Sequence, residues 1–266
     1  MSAVPETPTD EILLRRDDGG ICHLTLNRPN QFNALSLEML ETLLAELDRV
    51  AADPDQRVVV LGGAGKAFCA GHDLKEMRAN HVKAFQQQLF KLCSKVMMRI
   101  VSMPQPVIAR IHGIATAAGC QLVSMCDLAV AVDSARFAVS GINVGLFCST
   151  PSVGLARNMG RKQAFEMLVT GDFIDADEAR ARGLVNRVVP IEALDDEIGR
   201  LAQSILAKSP KAIAMGKEMF YRQLEMGLDA AYQYAGEVMA CNMMIEDAAE
   251  GIDAFMAKRK PTWRGR

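Results

Sequence analysis

A strand followed by a bend of small residues and a helix occurs twice, and this repeat constrains the fold most. The first unit joins the hydrophobic run 58–61 to the stretch 65–77, and the second joins the run 107–111 to the stretch 111–122. Small residues at each bend let a ligand approach main-chain N–H groups closely. Because alternating strands and helices build parallel sheets, the pattern predicts an α/β protein with both bends at one site.

Length and composition fit one large α/β domain, or a core with a smaller appendage. The chain has 266 residues, 50% of them hydrophobic, so a sizeable core can form. The formal net charge is −2 and no basic block stands out, which argues against a nucleic-acid partner. Because no apolar run approaches the roughly 20 residues of a transmembrane helix, we expect no membrane span.

The first residues and the cysteines bear on the cellular compartment. Residues 1–10 have neither the apolar core of a signal peptide nor the Arg-rich character of a transit peptide. The seven cysteines are odd in number and form no Cys-x-x-Cys pair, which favours buried free thiols in a reducing compartment. With four scattered histidines, no metal site is expected. We therefore expect a cytoplasmic protein, or one that is mature after processing elsewhere.

The first half of the chain alternates between strand and helix patterns. Residues 11–16 and 21–26 are typical of two strands joined by a tight turn. Ser36 can cap a helix over 37–52, whose apolar residues follow the helical period. A long amphipathic helix is expected over 81–101. These elements predict a spiral of strand–strand–helix units.

The last quarter of the chain differs, because only helical patterns follow Pro190. The last strand is expected over 184–189, and the stretch 141–150 is expected to be a loop. Helices are predicted over 193–208, 211–224, 228–245 and 248–257. We therefore divide the chain into a spiral core, 1–195, and a helical region, 196–266. The apolar faces of the helical region are larger than one small subdomain can bury, and this predicts an oligomer interface.

Gly-rich residues 62–66 follow a strand, as phosphate-binding loops do, but match neither of two nucleotide-binding motifs. The phosphate-binding motif Gly-x-x-x-x-Gly-Lys-Ser/Thr requires Ser or Thr after the lysine, but Ala67 follows Lys66 here. The dinucleotide motif Gly-x-Gly-x-x-Gly requires a final glycine, but Phe68 occupies that position. No Gly-x-Ser-x-Gly sequence is present, which disfavours an α/β-hydrolase.

The two bends together suggest an oxyanion site. The N–H of Ala70, before Gly71, and the N–H of Ala118, at the start of a helix, are the predicted donors. Two such amides can stabilise the oxygen of a thioester enolate. The alternative is that both bends are tight turns in which small residues serve packing alone.

Motif segments in sequence order cover nearly the whole chain. They are Asn27-Arg28-Pro29, Asn33-Ala34-Leu35, Ala67 to Met77, His112-Gly113 through Leu122, Cys126-Asp127-Leu128-Ala129, Phe137 with Asn143-Val144-Gly145, Leu168 to Gly171, Ala179 with Gly183-Leu184-Val185, and Lys258 to Pro261. Together these segments resemble the crotonase (enoyl-CoA hydratase/isomerase) superfamily. Ala115-Thr-Ala-Ala-Gly-Cys-Gln-Leu122 and Gly145-Leu-Phe-Cys-Ser-Thr-Pro151 most resemble the branch of enoyl-CoA hydratase domain-containing proteins.

The resemblance implies a crotonase-like spiral of ββα repeats and a helical C-terminal trimerisation region, often in a dimer of trimers. It also implies an acyl-CoA thioester as ligand, with coenzyme A as part of the substrate and no other cofactor. The thioester oxygen would lie between the N–H groups of Ala70 and Ala118. The substrate-binding residues implied are Arg28 near the phosphates, Ala67, Ala70, Gly71, His72, Asp73 and Leu74 along the adenine and pantetheine path, Ala118, and Lys258 or Lys260 from a neighbouring subunit.

The sequence departs from the family at both catalytic glutamates. Gln121 and Gly141 stand at the two positions where family hydratases have Glu. A glutamine amide can orient water but cannot act as a base near neutral pH, and glycine has no side chain. Candidate replacement groups near the matched motifs are His72, Asp73, His112, Ser140, Asn143, Cys148, Ser149 and Thr150. The alternative role of Asp73 is to cap the following helix.

The resemblance therefore implies an acyl-CoA protein of fatty-acid metabolism that would be classed as an enoyl-CoA hydratase, a lyase. Two alternatives remain open. One is an isomerase or hydrolase with a replacement base, and the other is an acyl-CoA-binding protein without catalysis.

Overall fold

Strands and helices alternate through the first two thirds of the protein, and only helices follow. The structure, a computed structural model, describes residues 11–266, so the expectation for residues 1–10 concerns a stretch outside the described residues. The strands are β1 (Leu13–Asp18), β2 (Ile21–Leu26), β3 (Val58–Gly63), β4 (Ala67–Cys69), β5 (Val107–Ile111), β6 (Ile114–Thr116), β7 (Leu128–Val132), β8 (Arg136–Ala138), β9 (Ile174–Asp175) and β10 (Arg187–Val189). The helices are α1 (Leu37–Ala52), α2 (Leu74–Ala79), α3 (Lys83–Ser102), α4 (Ala118–Met125), α5 (Ser149–Asn158), α6 (Arg161–Thr170), α7 (Ala176–Ala181), α8 (Leu194–Leu206), α9 (Pro210–Gln223), α10 (Leu228–Met243) and α11 (Glu246–Met256).

Two sheets are built by the same repeating unit. The larger sheet has the order β1-β2-β3-β5-β7-β10, and the smaller has the order β4-β6-β8-β9. Each of β3, β5 and β7 is followed at once by a strand of the smaller sheet, and the chain returns through a helix to the next turn. All pairs of the larger sheet are parallel except β1 with β2. This is the predicted α/β spiral of ββα repeats.

The predicted elements agree with the structure, with differences at their ends. Helix α1 has the predicted bounds, and the Ser36 hydroxyl accepts a hydrogen bond from the Met39 N–H at 3.2 Å. The predicted loop 141–150 instead contains a 3-10 helix, Ser140–Val144. The last strand begins only at Arg187, because the Leu184 N–H donates to the Ala179 carbonyl and closes the preceding helix.

The core lies between the larger sheet and helices α1 and α3. Leu40, Leu43 and Leu47 of α1 are fully buried, as are Leu89 and Ile100 of α3. Burying such a side chain contributes about 1.5–3 kcal/mol. Six of the cysteines are buried as expected, whereas the thiol of Cys241 is exposed. None of the helices between residues 11 and 266 is long and apolar enough to cross a lipid bilayer.

The C-terminal helices are attached to the spiral by a buried ion pair. The Lys217 ammonium of α9 lies 2.6 Å from the Asp127 carboxylate and donates to the carbonyls of Ile100 and Gln105, both at 2.8 Å. Tyr221 donates its hydroxyl proton to the same carboxylate at 2.8 Å. The predicted boundary after residue 195 passes through α8, which packs on β3, β5 and β7. The division into two regions stays a prediction.

Candidate active site

The two bends lie side by side at the edge of the smaller sheet. Strands β4 and β6 pair in parallel, so the residues that follow them run together. A Cβ atom placed on Gly71 would lie 2.8 Å from the Cβ of Ala117 and 3.1 Å from the main-chain nitrogen of Ala118. Gly71 also has a φ of +92°, which favours glycine. This close approach is what brings the first bend against the start of α4.

One donor of the predicted pair is placed as expected. Ala118 is the first residue of α4, and no acceptor for its N–H occurs in the described part of the chain. The first N–H groups of a helix have no partner within the helix, and the helix dipole adds positive potential there. Ala117, just before it, has a φ of +49°, a conformation that is strained for a residue with a side chain. The backbone is thus held in a shape that exposes this amide.

The prediction for the Ala70 amide is wrong, because that N–H is already used. It donates to the Phe32 carbonyl at 3.0 Å. The next candidate on the same bend is His72. The Gly71 carbonyl accepts from the Leu35 N–H at 2.8 Å. In a trans peptide the C=O and the following N–H point in opposite directions, so the His72 N–H points away from Leu35.

No acceptor for the His72 N–H is present within residues 11–266. The amide belongs to the bend whose Gly71 touches the start of α4. The pair of unused main-chain donors at the junction of the bends is therefore His72 and Ala118. Ala70 contributes through its carbonyl, which accepts from the Thr116 hydroxyl at 2.9 Å and ties the bends together.

Gln121 lies one turn after Ala118 on α4. Its side chain is 4% exposed, and Oε1 has no hydrogen-bond partner among the residues described. A buried polar atom left without a partner costs about 1–3 kcal/mol. Such an atom, on the helical turn that begins at Ala118, is suited to hold a water molecule or a polar group of a ligand.

At Gly141, the predicted position of the second missing carboxylate, the structure leaves no room for a side chain. A Cβ placed there would lie 2.7 Å from the Leu146 carbonyl oxygen and 2.8 Å from the sulfur of Cys148. The Cys148 thiol donates to the Val139 carbonyl at 3.5 Å. Burial raises the pKa of this thiol, so it stays protonated at neutral pH. Cys148 therefore fills the space of a missing side chain and is a poor nucleophile.

Arg28 and Asp73 have structural partners. The Arg28 guanidinium donates to the Ala34 carbonyl at 2.7 Å and forms an ion pair with Asp73 at 3.0 Å. The Asp73 carboxylate also accepts from the N–H groups of Lys75 and Glu76, which confirms its helix-capping role. A contact of either residue with coenzyme A stays a prediction.

The other predicted ligand residues are spread over the surface and the smaller sheet. Ala67 is buried in β4, Leu74 is half-exposed at the start of α2, and Lys258 and Lys260 lie on the exposed segment after α11. Their roles in ligand binding stay predictions.

The other candidate replacement groups lie in three places. His112 forms a hydrogen bond between Nε2 and the Gly65 carbonyl at 2.9 Å, Ser140 and Asn143 lie in the 3-10 helix, and Ser149 and Thr150 begin α5.

Asn33 organises the first bend, a role that its place in an Asn-Ala-Leu motif did not reveal. The residue is fully buried at a φ of +56°. Its Nδ2 donates to the carbonyls of Ala64 and Ala67 at 2.9 and 2.8 Å. The preceding residue, Phe32, supplies the carbonyl that holds Ala70. The signal in the sequence was an amide side chain in the loop between β2 and α1, but its partners lie 31 and 34 residues away along the chain.

Replacing Asn33 by Asp should destabilise the protein and weaken ligand binding. The new carboxylate oxygen would face the carbonyl oxygens of Ala64 and Ala67 instead of donating to them. We expect a loss of about 3 kcal/mol, since an uncompensated buried polar group costs about 1–3 kcal/mol and a charge costs more. Urea unfolding would measure this loss, with Asn30→Asp as the control because Asn30 is exposed in the same loop. Equal stability of the two variants would contradict the role of Asn33.

Comparisons with known proteins agree with this architecture. A profile of the family described as enoyl-CoA hydratase/isomerase matches residues 16–266. The chain is 46% identical over 248 residues to "Enoyl-CoA hydratase domain-containing protein 3, mitochondrial" of Xenopus laevis, covering 93% of this chain and 84% of the relative. That relative is named as mitochondrial, so the expectation of a cytoplasmic protein is wrong by this comparison.

Two crystal structures match nearly the whole chain. An enoyl-CoA hydratase of Mycobacterium smegmatis superimposes with a TM-score of 0.94 at 60% identity, covering 96% of this chain and 99% of the other. Human enoyl coenzyme A hydratase domain-containing protein 3 superimposes with a TM-score of 0.93 at 45% identity, covering 95% and 100%. The fold, the two adjoining bends and the extent of these matches agree: the chain belongs to the enoyl-CoA hydratase/isomerase family.

Proposed function

We propose that the protein binds an acyl-CoA thioester at the two bends and adds water to a 2-enoyl-CoA, giving a 3-hydroxyacyl-CoA. The observation that carries the proposal is the pair of unused N–H groups at His72 and Ala118. When water adds to C3 of an enoyl thioester, negative charge develops on the thioester oxygen. Two fixed amides aimed at that oxygen stabilise the enolate, and one such donor is typically worth about 10²–10³ in rate. Fatty-acid metabolism is the context in which such substrates arise.

Gln121 supports hydration because it offers a buried polar group beside the donors. Its amide can accept from, or donate to, the attacking water. It cannot remove the proton, since an amide does not ionise near neutral pH. The site therefore orients the reactants by the main chain and by Gln121, and the proton must move through another group.

The proposal is tested with unmodified protein and two matched ligands. Calorimetry would compare butyryl-CoA with the S-butyl-CoA thioether, which lacks only the carbonyl oxygen. We expect the thioester to bind about tenfold more tightly or better, since hydrogen bonds of this kind contribute about 1.5 kcal/mol each. Turnover of crotonyl-CoA and longer enoyl-CoAs would be followed in parallel. Equal affinity for both ligands would exclude the proposed donor pair. If the protein bound the thioester but did not hydrate any enoyl-CoA, only the binding part of the proposal would remain.

Gln121→Glu should raise the hydration rate. The substitution adds an ionisable group at the position one turn after Ala118, without changing the size of the side chain. We expect an increase of about 10²-fold, at the lower end of the range for general acid–base catalysis. The rate with crotonyl-CoA, measured beside the thermal stability of the variant, decides this. A folded variant with no gain would mean that Gln121 does not face the acyl group.

A second candidate is an acyl-CoA-binding protein without catalysis. It is favoured by the closed position at Gly141, where Leu146 and Cys148 exclude any carboxylate. Thioester-selective binding with no turnover, no isomerisation and no thioester cleavage would establish it.

We also propose that the C-terminal helices form a homotrimer interface, alone or within a dimer of trimers. Large apolar side chains of α9, α10 and α11 are exposed in the single chain: Phe220, Leu228, Tyr232, Met239, Phe255 and Met256. Exposed apolar surface of this extent marks an interaction site. Sedimentation equilibrium would test it, and a monomer at micromolar concentration would contradict it.

A further inference from the structure

The imidazole of His72 contacts a main-chain carbonyl and an aromatic ring. Its Nδ1 lies 3.4 Å from the Leu35 carbonyl oxygen, and its ring packs edge-on against Phe90 with 5.4 Å between ring centroids. A carbonyl oxygen can only accept, so Nδ1 carries the hydrogen when the ring is neutral. The basic lone pair is then on Nε2. The contact with Leu35 therefore favours Nε2 as the nitrogen that accepts a proton.

Nε2 of His72 is buried and has no partner in the part of the chain that the structure describes. Gln121 Oε1 is in the same situation. His72 Nε2 belongs to the residue that supplies one of the two N–H donors. Gln121 Oε1 belongs to the residue one helical turn after Ala118, which supplies the other. Buried polar atoms without a protein partner are commonly completed by water or ligand, and these two belong to the two segments that meet where Gly71 approaches Ala118.

We propose that His72 is the proton-transferring catalytic residue of this site, an inference that rests on the proposed acyl-CoA hydration. Nε2 takes a proton from the water held by Gln121 while the water oxygen bonds to C3 of the enoyl thioester. The C2–C3 double bond opens, and its electron pair becomes the enolate held by the N–H groups of His72 and Ala118. Nε2–H then returns the proton to C2. One water is consumed and the imidazole is restored.

Burial keeps this imidazole neutral before the reaction. It lowers the pKa of His72 to about 4, so the lone pair is present in nearly every molecule at neutral pH. The imidazolium formed during the reaction lies beside the enolate that the same residue binds. An opposite charge nearby favours the charged ring, so the enolate would raise the pKa of the imidazole while it holds the proton.

Other side chains near the motifs are less suited to this role. Asp73 is paired with Arg28 and caps α2, and the Cys148 thiol donates to a carbonyl. His112 also has one buried nitrogen without a protein partner among the residues described, but its ring is bonded at Gly65, before β4. Neither donor amide belongs to His112. It is therefore the competing histidine for the test.

The test measures exchange of the C2 protons of butyryl-CoA for deuterium in D₂O by proton NMR. Exchange needs the base and the oxyanion site but no water addition. We expect the wild-type protein to exchange and His72→Gln to slow exchange by about 10²–10⁴-fold, the usual contribution of a general base. The side-chain change leaves the main-chain N–H in place, so butyryl-CoA binding by calorimetry should be retained. Added imidazole should restore part of the exchange to His72→Ala.

His23→Gln is the matched control, because His23 is also half-buried with a pKa lowered by burial, but lies on β2 beside Arg110 and Asp195. The inference would be overturned if His72→Gln exchanged at the wild-type rate, or if exchange were lost in His112→Gln instead.

The inference would also be overturned if the wild-type protein bound the thioester without exchanging its C2 protons; the proposed binding site would then be retained. Failure of acyl-CoA binding in the wild type would instead refute the proposed function. If His72→Gln fails to fold, ¹⁵N shifts of the wild-type histidines decide: no change at His72 Nε2 on adding butyryl-CoA contradicts the inference.

Discussion

Gly71→Ala should abolish most thioester recognition. The new Cβ would lie 2.8 Å from the Cβ of Ala117 and 3.1 Å from the nitrogen of Ala118, so the two bends must separate. The separation moves the His72 N–H away from the Ala118 N–H. We expect hydration, or C2 exchange of a saturated acyl-CoA, to fall by about 10²–10³-fold, the effect of losing one oxyanion donor. Steady-state kinetics and thioester affinity would measure it.

The control separates crowding from backbone strain. Gly19 also has a positive φ, +56°, but no atom lies within 4 Å of the position of its Cβ. Gly19→Ala therefore carries only the conformational cost, on the order of 1–3 kcal/mol. It should leave acyl-CoA recognition intact. Equal loss of recognition in both variants would mean that the contact at Ala118 is not what shapes the site.

Lys217→Met should produce the largest loss of stability. The substitution leaves the Asp127 carboxylate buried without its cation and the carbonyls of Ile100 and Gln105 without their donor. Removing one partner of a buried ion pair typically costs about 3–5 kcal/mol. Because the pair joins α9 to the spiral, we also expect weaker association of the C-terminal helices. The midpoint of urea unfolding and the sedimentation profile would show the two effects.

Lys211→Met on the same helix is the comparison for this change. Lys211 is exposed near the start of α9, so its replacement should change the free energy of unfolding by less than about 0.5 kcal/mol. Tyr221→Phe removes one hydrogen bond to Asp127 and should fall between them, at about 1 kcal/mol. A Lys217 variant as stable as the Lys211 variant would show that the ion pair does not anchor the helices.

In the proposed site one residue, His72, has two roles: its main-chain N–H is a hydrogen-bond donor and its imidazole is a base. In the proposed site His72 would offer its N–H to the thioester oxygen, while its ring packs against Phe90. The proposed proton carrier would then lie on the first bend and not at Gly141, where a side chain has no room. The C2 proton exchange of butyryl-CoA tests this proposed arrangement.

The sequence by itself determined the elements and their order. The periodicity of α1 and its Ser36 cap, the two strand–bend–helix units and the helical C-terminal region all depend on residues close in the chain. The family motifs added the spiral and drew attention to Gln121 and Gly141. Local patterns sufficed here because secondary structure and capping are decided by near neighbours.

Only the tertiary structure decided which groups are available. The carbonyl of Phe32, at a φ of +50° in a distant loop, accepts from the Ala70 N–H, whereas the His72 N–H has no acceptor among the residues described. Leu146 and Cys148 close the space at Gly141, and the Leu35 carbonyl lies 3.4 Å from Nδ1 of His72. Each outcome depends on a hydrogen bond or a contact between segments brought together by packing. Such contacts are fixed to a fraction of an ångström by the whole core, so no local pattern carries them.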